Sequence, residues 1–198
     1  MRHTVDCSVD YYLAPNSPWA YLGHGRLAGM LKSSGANVRV LPMDLAQVFS
    51  VSGGLPLPKR APQRQAYRLI ELRRFSETLG VPLNVQPRFF PVAADDASRL
   101  IVAAELEAGP DAAMRITGAM GAAVWAQERD IANPQTLAEL LSEAGLPATL
   151  LAHSRSGEVQ SRYAKNTQAA IEAGVFGAPS YVVNGELFWG QDRLDFVE

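Results

Sequence analysis

The chain has 198 residues, 47% of them hydrophobic and 19% charged, with a formal net charge of −2. That length suffices for a substantial core, and the near-neutral balance gives no electrostatic basis for nucleic-acid binding. A single cysteine, Cys7, excludes an intrachain disulfide and a Cys-x-x-Cys redox pair. No stretch approaches the ~20 apolar residues that span a bilayer. The opening residues hold no signal-peptide core, because Asp6, Asp10, Asn16 and Arg26 interrupt it. A cytoplasmic protein is the expectation.

Residues 9–13 are β-branched and aromatic and end ahead of Pro15, which predicts a first strand. Ser17-Pro18 then opens a helix, with Ser as N-cap and Pro at the first helical position. Trp19, Leu22, Leu27, Met30 and Leu31 form its apolar stripe, and Ser33-Ser34-Gly35 closes it. Residues 38–41 alternate apolar and polar before Pro42 and read as a second strand. A helix linking these two strands implies a parallel pair.

Residues 51–58 are predicted to be a loop rich in Gly and Pro. A helix follows over about 63–79, carrying Tyr67, Ile70, Leu72 and Phe75. Residues 81–91 contain Pro82, Pro87 and Pro91 and should be extended. From Asp95 to about Gly174 the pattern is helical, broken at Gly109-Pro110, Asn133-Pro134 and Gly145-Leu146-Pro147. Two strands, 180–183 and 186–189, then flank Asn184-Gly185 as a hairpin, and an amphipathic segment starts at Leu194. The order β-α-β, helices, β-β-α is that of a thioredoxin-like α/β fold interrupted by a helical insertion domain. Residues 1–45 and 175–198 would form the thioredoxin-like part, and 46–174 the insertion with its connecting helix.

In such a fold the chemistry lies at the start of the first helix, where backbone amides and the helix dipole converge on an anion, usually a thiolate. Here that position is Ser17-Pro18-Trp19-Ala20. Lacking sulfur, it cannot cycle a disulfide, but a Ser hydroxyl can donate a hydrogen bond to the thiolate of another molecule, with glutathione the obvious one. Ser17 also reads as an ordinary N-cap. Gly177-Ala178-Pro179-Ser180 supplies a second feature. A cis-proline before the third strand would lie beside the helix start and leave the preceding backbone open to an extended peptide. His24 lies seven residues beyond Ser17, two helical turns away and too far for a Ser–His pair. His3, His24 and His153 have no metal-ligand spacing, and Gly53-Gly54 lacks the Lys-Ser/Thr of a phosphate loop.

Asp10-Tyr11-Tyr12, Ser17-Pro18-Trp19-Ala20-Tyr21-Leu22-Gly23, Gly174-Val175-Phe176-Gly177-Ala178-Pro179 and Phe188-Trp189-Gly190-Gln191-Asp192-Arg193-Leu194 together resemble the 2-hydroxychromene-2-carboxylate isomerase family. That family is allied to the kappa-class glutathione transferases and the DsbA-like thioredoxin branch. The resemblance implies a glutathione-dependent isomerisation of 2-hydroxychromene-2-carboxylate to trans-o-hydroxybenzylidenepyruvate, without net redox, in breakdown of naphthalene-type aromatics. The alternatives are a kappa-like glutathione transferase conjugating electrophiles and a non-catalytic thioredoxin-like binding protein.

On the same basis Ser17 would hold the glutathione sulfur, Ala178 and Pro179 would meet the cysteinyl part, and Trp189, Gly190, Gln191 and Asp192 would take the γ-glutamyl end. Asp192 also reads as an N-cap of the last helix. Lys59, Arg60 and Phe89 match places where the isomerases contact their aromatic carboxylate substrate, while the Phe89-Phe90 pair reads equally as core. Arg64 and Arg68 read as a solvated basic face, and a homodimer is a family expectation. Many relatives carry an acidic residue shortly before the Ser, where this chain has Ala14-Pro15-Asn16.

Overall fold

The computed structural model describes residues 7–197; the expected outer boundaries at residues 1 and 198 lie outside them. The first unit is strand β1 (Ser8–Leu13), helix α1 (Pro18–Ser34) and strand β2 (Asn37–Pro42). Ser17 caps α1 by accepting from the Ala20 amide, and Gly35, at φ 71°, ends it in the left-handed region. The central helices are α2 (Leu45–Ser52), α3 (Pro62–Leu79), α4 (Asp95–Ala108), α5 (Pro110–Trp125), α6 (Pro134–Glu143), α7 (Thr149–His153) and α8 (Gly157–Glu172). Strands β3 (Ser180–Val183) and β4 (Glu186–Trp189) follow, then a 3₁₀ turn over Gln191–Arg193 and a last helical turn, α9 (Leu194–Val197).

The sheet order is β2-β1-β3-β4, with β1 parallel to β2 and the other pairings antiparallel. Tyr11 at its centre sits opposite Val40 on one side and Tyr181 on the other, and the two tyrosine rings stack 5.5 Å apart. Alternation along β1 divides the interior. Tyr11 and Leu13 enter the main core with Leu22, Leu100, Ile101, Ile116, Met120 and Trp125. Tyr12 faces a smaller cluster with Leu41, Met43, Val48, Ala170 and Val175. The main core is shared by the sheet, α1 and the helical middle.

Two elements differ from the sequence reading. The segment expected as a loop over 51–58 is preceded by α2, which runs on through Ser52, and it contains a 3₁₀ turn at Leu57–Lys59. The Asp44 carboxylate nucleates α2 by accepting from the amides of Ala46 and Gln47. Helix α3 sits where expected, but Leu72 is the residue it fully buries, while Tyr67 and Ile70 are exposed. It acts as a wall standing off the core.

Candidate active site

The site is built where the two ends of the chain meet. The first turn of α1 carries no acidic residue, so its positive end is uncompensated. Ser17 is nearly buried at 8% exposure. Its Oγ accepts from the Ala20 amide at 3.2 Å and donates to the Ala178 carbonyl at 3.4 Å. The second bond is long enough to be weak, so this hydroxyl proton can be redirected to a better acceptor. Asn16, immediately before it, donates through Nδ2 to the Val92 carbonyl at 2.8 Å and ties this turn to the extended segment after α3.

The Ala178–Pro179 bond is cis, as expected from the sequence, and Ala178 lies directly beside Ser17. The Gly190 amide donates to the Pro179 carbonyl at 2.9 Å, which folds the turn after β4 back onto the cis-proline. Gly190 has φ 102°, a conformation that side chains rarely adopt. Gly23 on α1 has a different reason: a Cβ there would come within 2.6 Å of the Gln191 Cβ. Its absence lets α1 press against the 190–192 turn, so both halves of the site share one contact. Gln191 is buried at 2% exposure, and its Nε2 finds no partner. Trp189 is half exposed and packs its ring on Phe176 at 4.8 Å.

These pieces open onto a cleft of about 530 Å³ lined by Ala178 and residues 189–193 on one side and by Trp19, Phe75 and α3 on the other. Arg60, Arg64 and Arg68 all face it. Its carboxylates are already engaged: Glu71 pairs with Arg74, and Asp192 pairs with Arg193 at 2.8 Å. Burial lowers the Arg60 and Arg68 pKa values, Arg68 to about 10, and each is lowered further by a neighbouring arginine. The cleft is therefore apolar in its walls and cationic in its unpaired charge.

Of the residues singled out from sequence, Arg60, Ala178, Trp189, Gly190, Gln191 and Asp192 line this cleft, with Ser17 and Pro179 against Ala178. Lys59, on the 3₁₀ turn before α3, and Phe89, whose ring lies under Arg88, do not line it. The alternative role of Asp192 as a helix cap is not what the structure shows. It sits inside the 3₁₀ turn, with Gly190 at the cap position and its carboxylate on Arg193.

Arg68 is not part of a solvated face. Its guanidinium lies over the Phe90 and Trp125 rings, at 5.1 and 5.7 Å from their centroids. Sequence reasoning missed Trp19, Arg68 and Phe75 as site residues. The usable signal was the four-residue spacing of Arg60, Arg64 and Arg68, which places them along one side of α3 and the turn leading into it. His24 points away from this site. It packs near Tyr11 and Gly118, and burial lowers its pKa to about 4.

A family model of the DSBA-like thioredoxin domain matches residues 4–198. The 2-hydroxychromene-2-carboxylate isomerase of Pseudomonas putida is 30% identical over 96% of this chain and 92% of its own, and that of Pseudomonas sp. (strain C18) is 31% identical over 96% and 88%. Human glutathione S-transferase kappa 1 is 25% identical over 96% of this chain and 88% of its own. Among solved structures, a 2-hydroxychromene-2-carboxylate isomerase superposes with a TM-score of 0.81 at 26% identity, covering 96% of this chain and 92% of the other. The chain belongs to the 2-hydroxychromene-2-carboxylate isomerase family, within the DSBA-like thioredoxin domains.

Proposed function

We propose that the protein is a glutathione-dependent isomerase interconverting 2-hydroxychromene-2-carboxylate and trans-o-hydroxybenzylidenepyruvate in the breakdown of naphthalene-type aromatics. The observation that carries this reading is a redirectable Ser17 hydroxyl, at an uncompensated helix start, beside the mouth of a cationic cleft with apolar walls. The residues fit glutathione. Ser17 and the first amides of α1 suit its sulfur, and Ala178 and Pro179 offer an edge to its cysteinyl backbone. The orphaned Gln191 amide, with Trp189, Gly190 and Asp192, suits its γ-glutamyl end.

When bound, glutathione supplies a soft nucleophile able to add reversibly to a conjugated double bond and so let that bond rotate. The chain's part is electrostatic. Ser17 would turn its Oγ–H from the Ala178 carbonyl to the sulfur, and the α1 amides would favour the anionic form. Each unit by which they lower the thiol pKa is worth ~1.4 kcal/mol. Arg60 adds positive charge to the substrate side of the cleft, and Trp19 and Phe75 would enclose the aromatic body; Lys59 and Phe89 lie outside the cleft and would serve only through movement of their segments.

Incubation with 2-hydroxychromene-2-carboxylate, with and without glutathione, tests the reading. Interconversion that requires glutathione without consuming it is expected. The similarity to a kappa-class glutathione transferase supports a second reading, conjugation of electrophiles in the same cleft. A released glutathione adduct would favour that reading, and conversion at full rate without glutathione would overturn both.

A further inference from the structure

Arg68 is a half-buried charge of the cleft. It has no carboxylate partner among the described residues, and its head group is pinned by two aromatic rings that themselves touch at 4.7 Å. Trp125 is fully buried, so this side of the guanidinium is closed to water. The open side is the cleft, where Arg60 and Arg64 add like charge. A guanidinium that is desolvated, immobilised and crowded by its own kind is stabilised by an anion on its open side. Its planar fork also matches a carboxylate in two-point geometry.

Resting on the isomerase reading above, we propose that Arg68 is the specificity-determining cation of the cleft, receiving the carboxylate of the aromatic substrate and selecting anionic aromatics over neutral ones. The position suits that role. Phe90 and Trp125 hold the cation from behind, while Trp19 and Phe75 flank the open space of the cleft, packed edge to face at 5.9 Å. A ligand carrying a carboxylate on a flat conjugated body satisfies both surfaces. Arg60 is less free, because its Nε donates to the Leu55 carbonyl at 2.8 Å and anchors the Pro-rich loop.

A carboxylate could also come from glutathione itself, and the test separates the two sources. Apparent dissociation constants are measured by titrating trans-o-hydroxybenzylidenepyruvate, already equilibrated with its chromene isomer, and the methyl ester into glutathione-saturated wild type, R68M and R68K. Glutathione is titrated separately into all three. The expected result is a wild-type preference for the acid of about tenfold or more, falling to about threefold or less in R68M and retained in part by R68K, with glutathione affinity unchanged.

Retention of the full acid preference in R68M, with glutathione still bound, overturns the proposal and leaves the isomerase reading standing. A weakened glutathione affinity with the acid preference intact reassigns Arg68 to glutathione and also overturns it. Wild type that binds neither acid nor ester overturns the substrate class and the proposal together. Normal glutathione binding by R68M shows that the fold has survived the substitution.

Discussion

Replacing Ser17 by Ala separates its two structural duties. As a cap, Ser17 accepts from the Ala20 amide at 3.2 Å in a site only 8% exposed, so Ala leaves that amide without a protein acceptor. The loss should cost about 1 kcal/mol of stability, lowering the melting temperature by about 2–4 °C for a chain of this size. As a donor, the same oxygen would stabilise a bound thiolate. Removal of a charge-assisted hydrogen bond costs about 1.5–3 kcal/mol, or roughly tenfold to a hundredfold or more in kcat/KM. The pH–rate profile should move with it, its alkaline-going limb rising by about one to two pH units as the bound thiol loses its donor. The assay is isomerase turnover at saturating glutathione from pH 6 to 9, beside thermal melts. A variant that melts lower yet turns over normally, with an unmoved profile, would refute the thiolate role and leave Ser17 a cap.

Asp192→Asn should weaken glutathione binding by about tenfold to a hundredfold in calorimetric titration, because an ammonium group loses its carboxylate. Its melting temperature should change little: Asp192 pairs with Arg193 at the surface and caps no helix, and such pairs contribute about 0–1 kcal/mol. Unchanged affinity would remove Asp192 from the site. His24, with its pKa lowered to about 4 by burial, is bound to fewer protons in the folded than in the unfolded chain between about pH 6.5 and 4. Stability should therefore fall as pH drops through that window, by about 2–3 kcal/mol. His24→Asn should flatten that slope in denaturant titrations at pH 7 and 4.5, and an identical slope in both proteins would show that other groups dominate.

The frame of the fold was legible because it is written in local chemistry. Ser17-Pro18 and Gly35 bound α1, and Asn184-Gly185 sets the β3–β4 hairpin, the Asn at φ 52° and the Gly at φ 84°. Pairing of the two chain ends could be inferred only because Ser17 and Ala178-Pro179 each suggested the same architecture. Helix α2 was hidden: its eight residues are few for a periodic signal, and its start depends on the single Asp44 side chain. The α3 wall was misjudged for a more general reason. Charge in a sequence reads as exposure, and nothing local announces that Phe90 and Trp125 wait behind Arg68. For the same reason Phe89 and Phe90 could not be told apart, although only Phe90 meets that guanidinium.

The two walls of the cleft differ in how they are made, and this constrains how its chemistry can change. The wall at the chain ends is built mainly of backbone: the opening amides of α1, the Ala178 carbonyl, and the turn locked by Gly190 and the Pro179 carbonyl. Gly23 and Gln191 press these pieces together with no room for a larger side chain. Alterations to that backbone framework, at Gly23, Pro179 or Gly190, disturb the fold as soon as they disturb the site. The facing wall is α3, which commits only Leu72 fully to the core and presents Arg64, Tyr67 and Arg68 to the cleft, with Arg60 just ahead of it. Arg64 and Tyr67 are exposed positions that tolerate exchange at small cost in stability, while Arg68 is half-buried against Phe90 and Trp125. On the proposed reading, the anion-stabilising end is tied to the architecture, whereas the identity of the second ligand rests on side chains of α3, a helix of which Leu72 alone is fully committed to the core. Substitutions along α3 should alter which aromatic is accepted long before they alter whether a thiolate is held at Ser17.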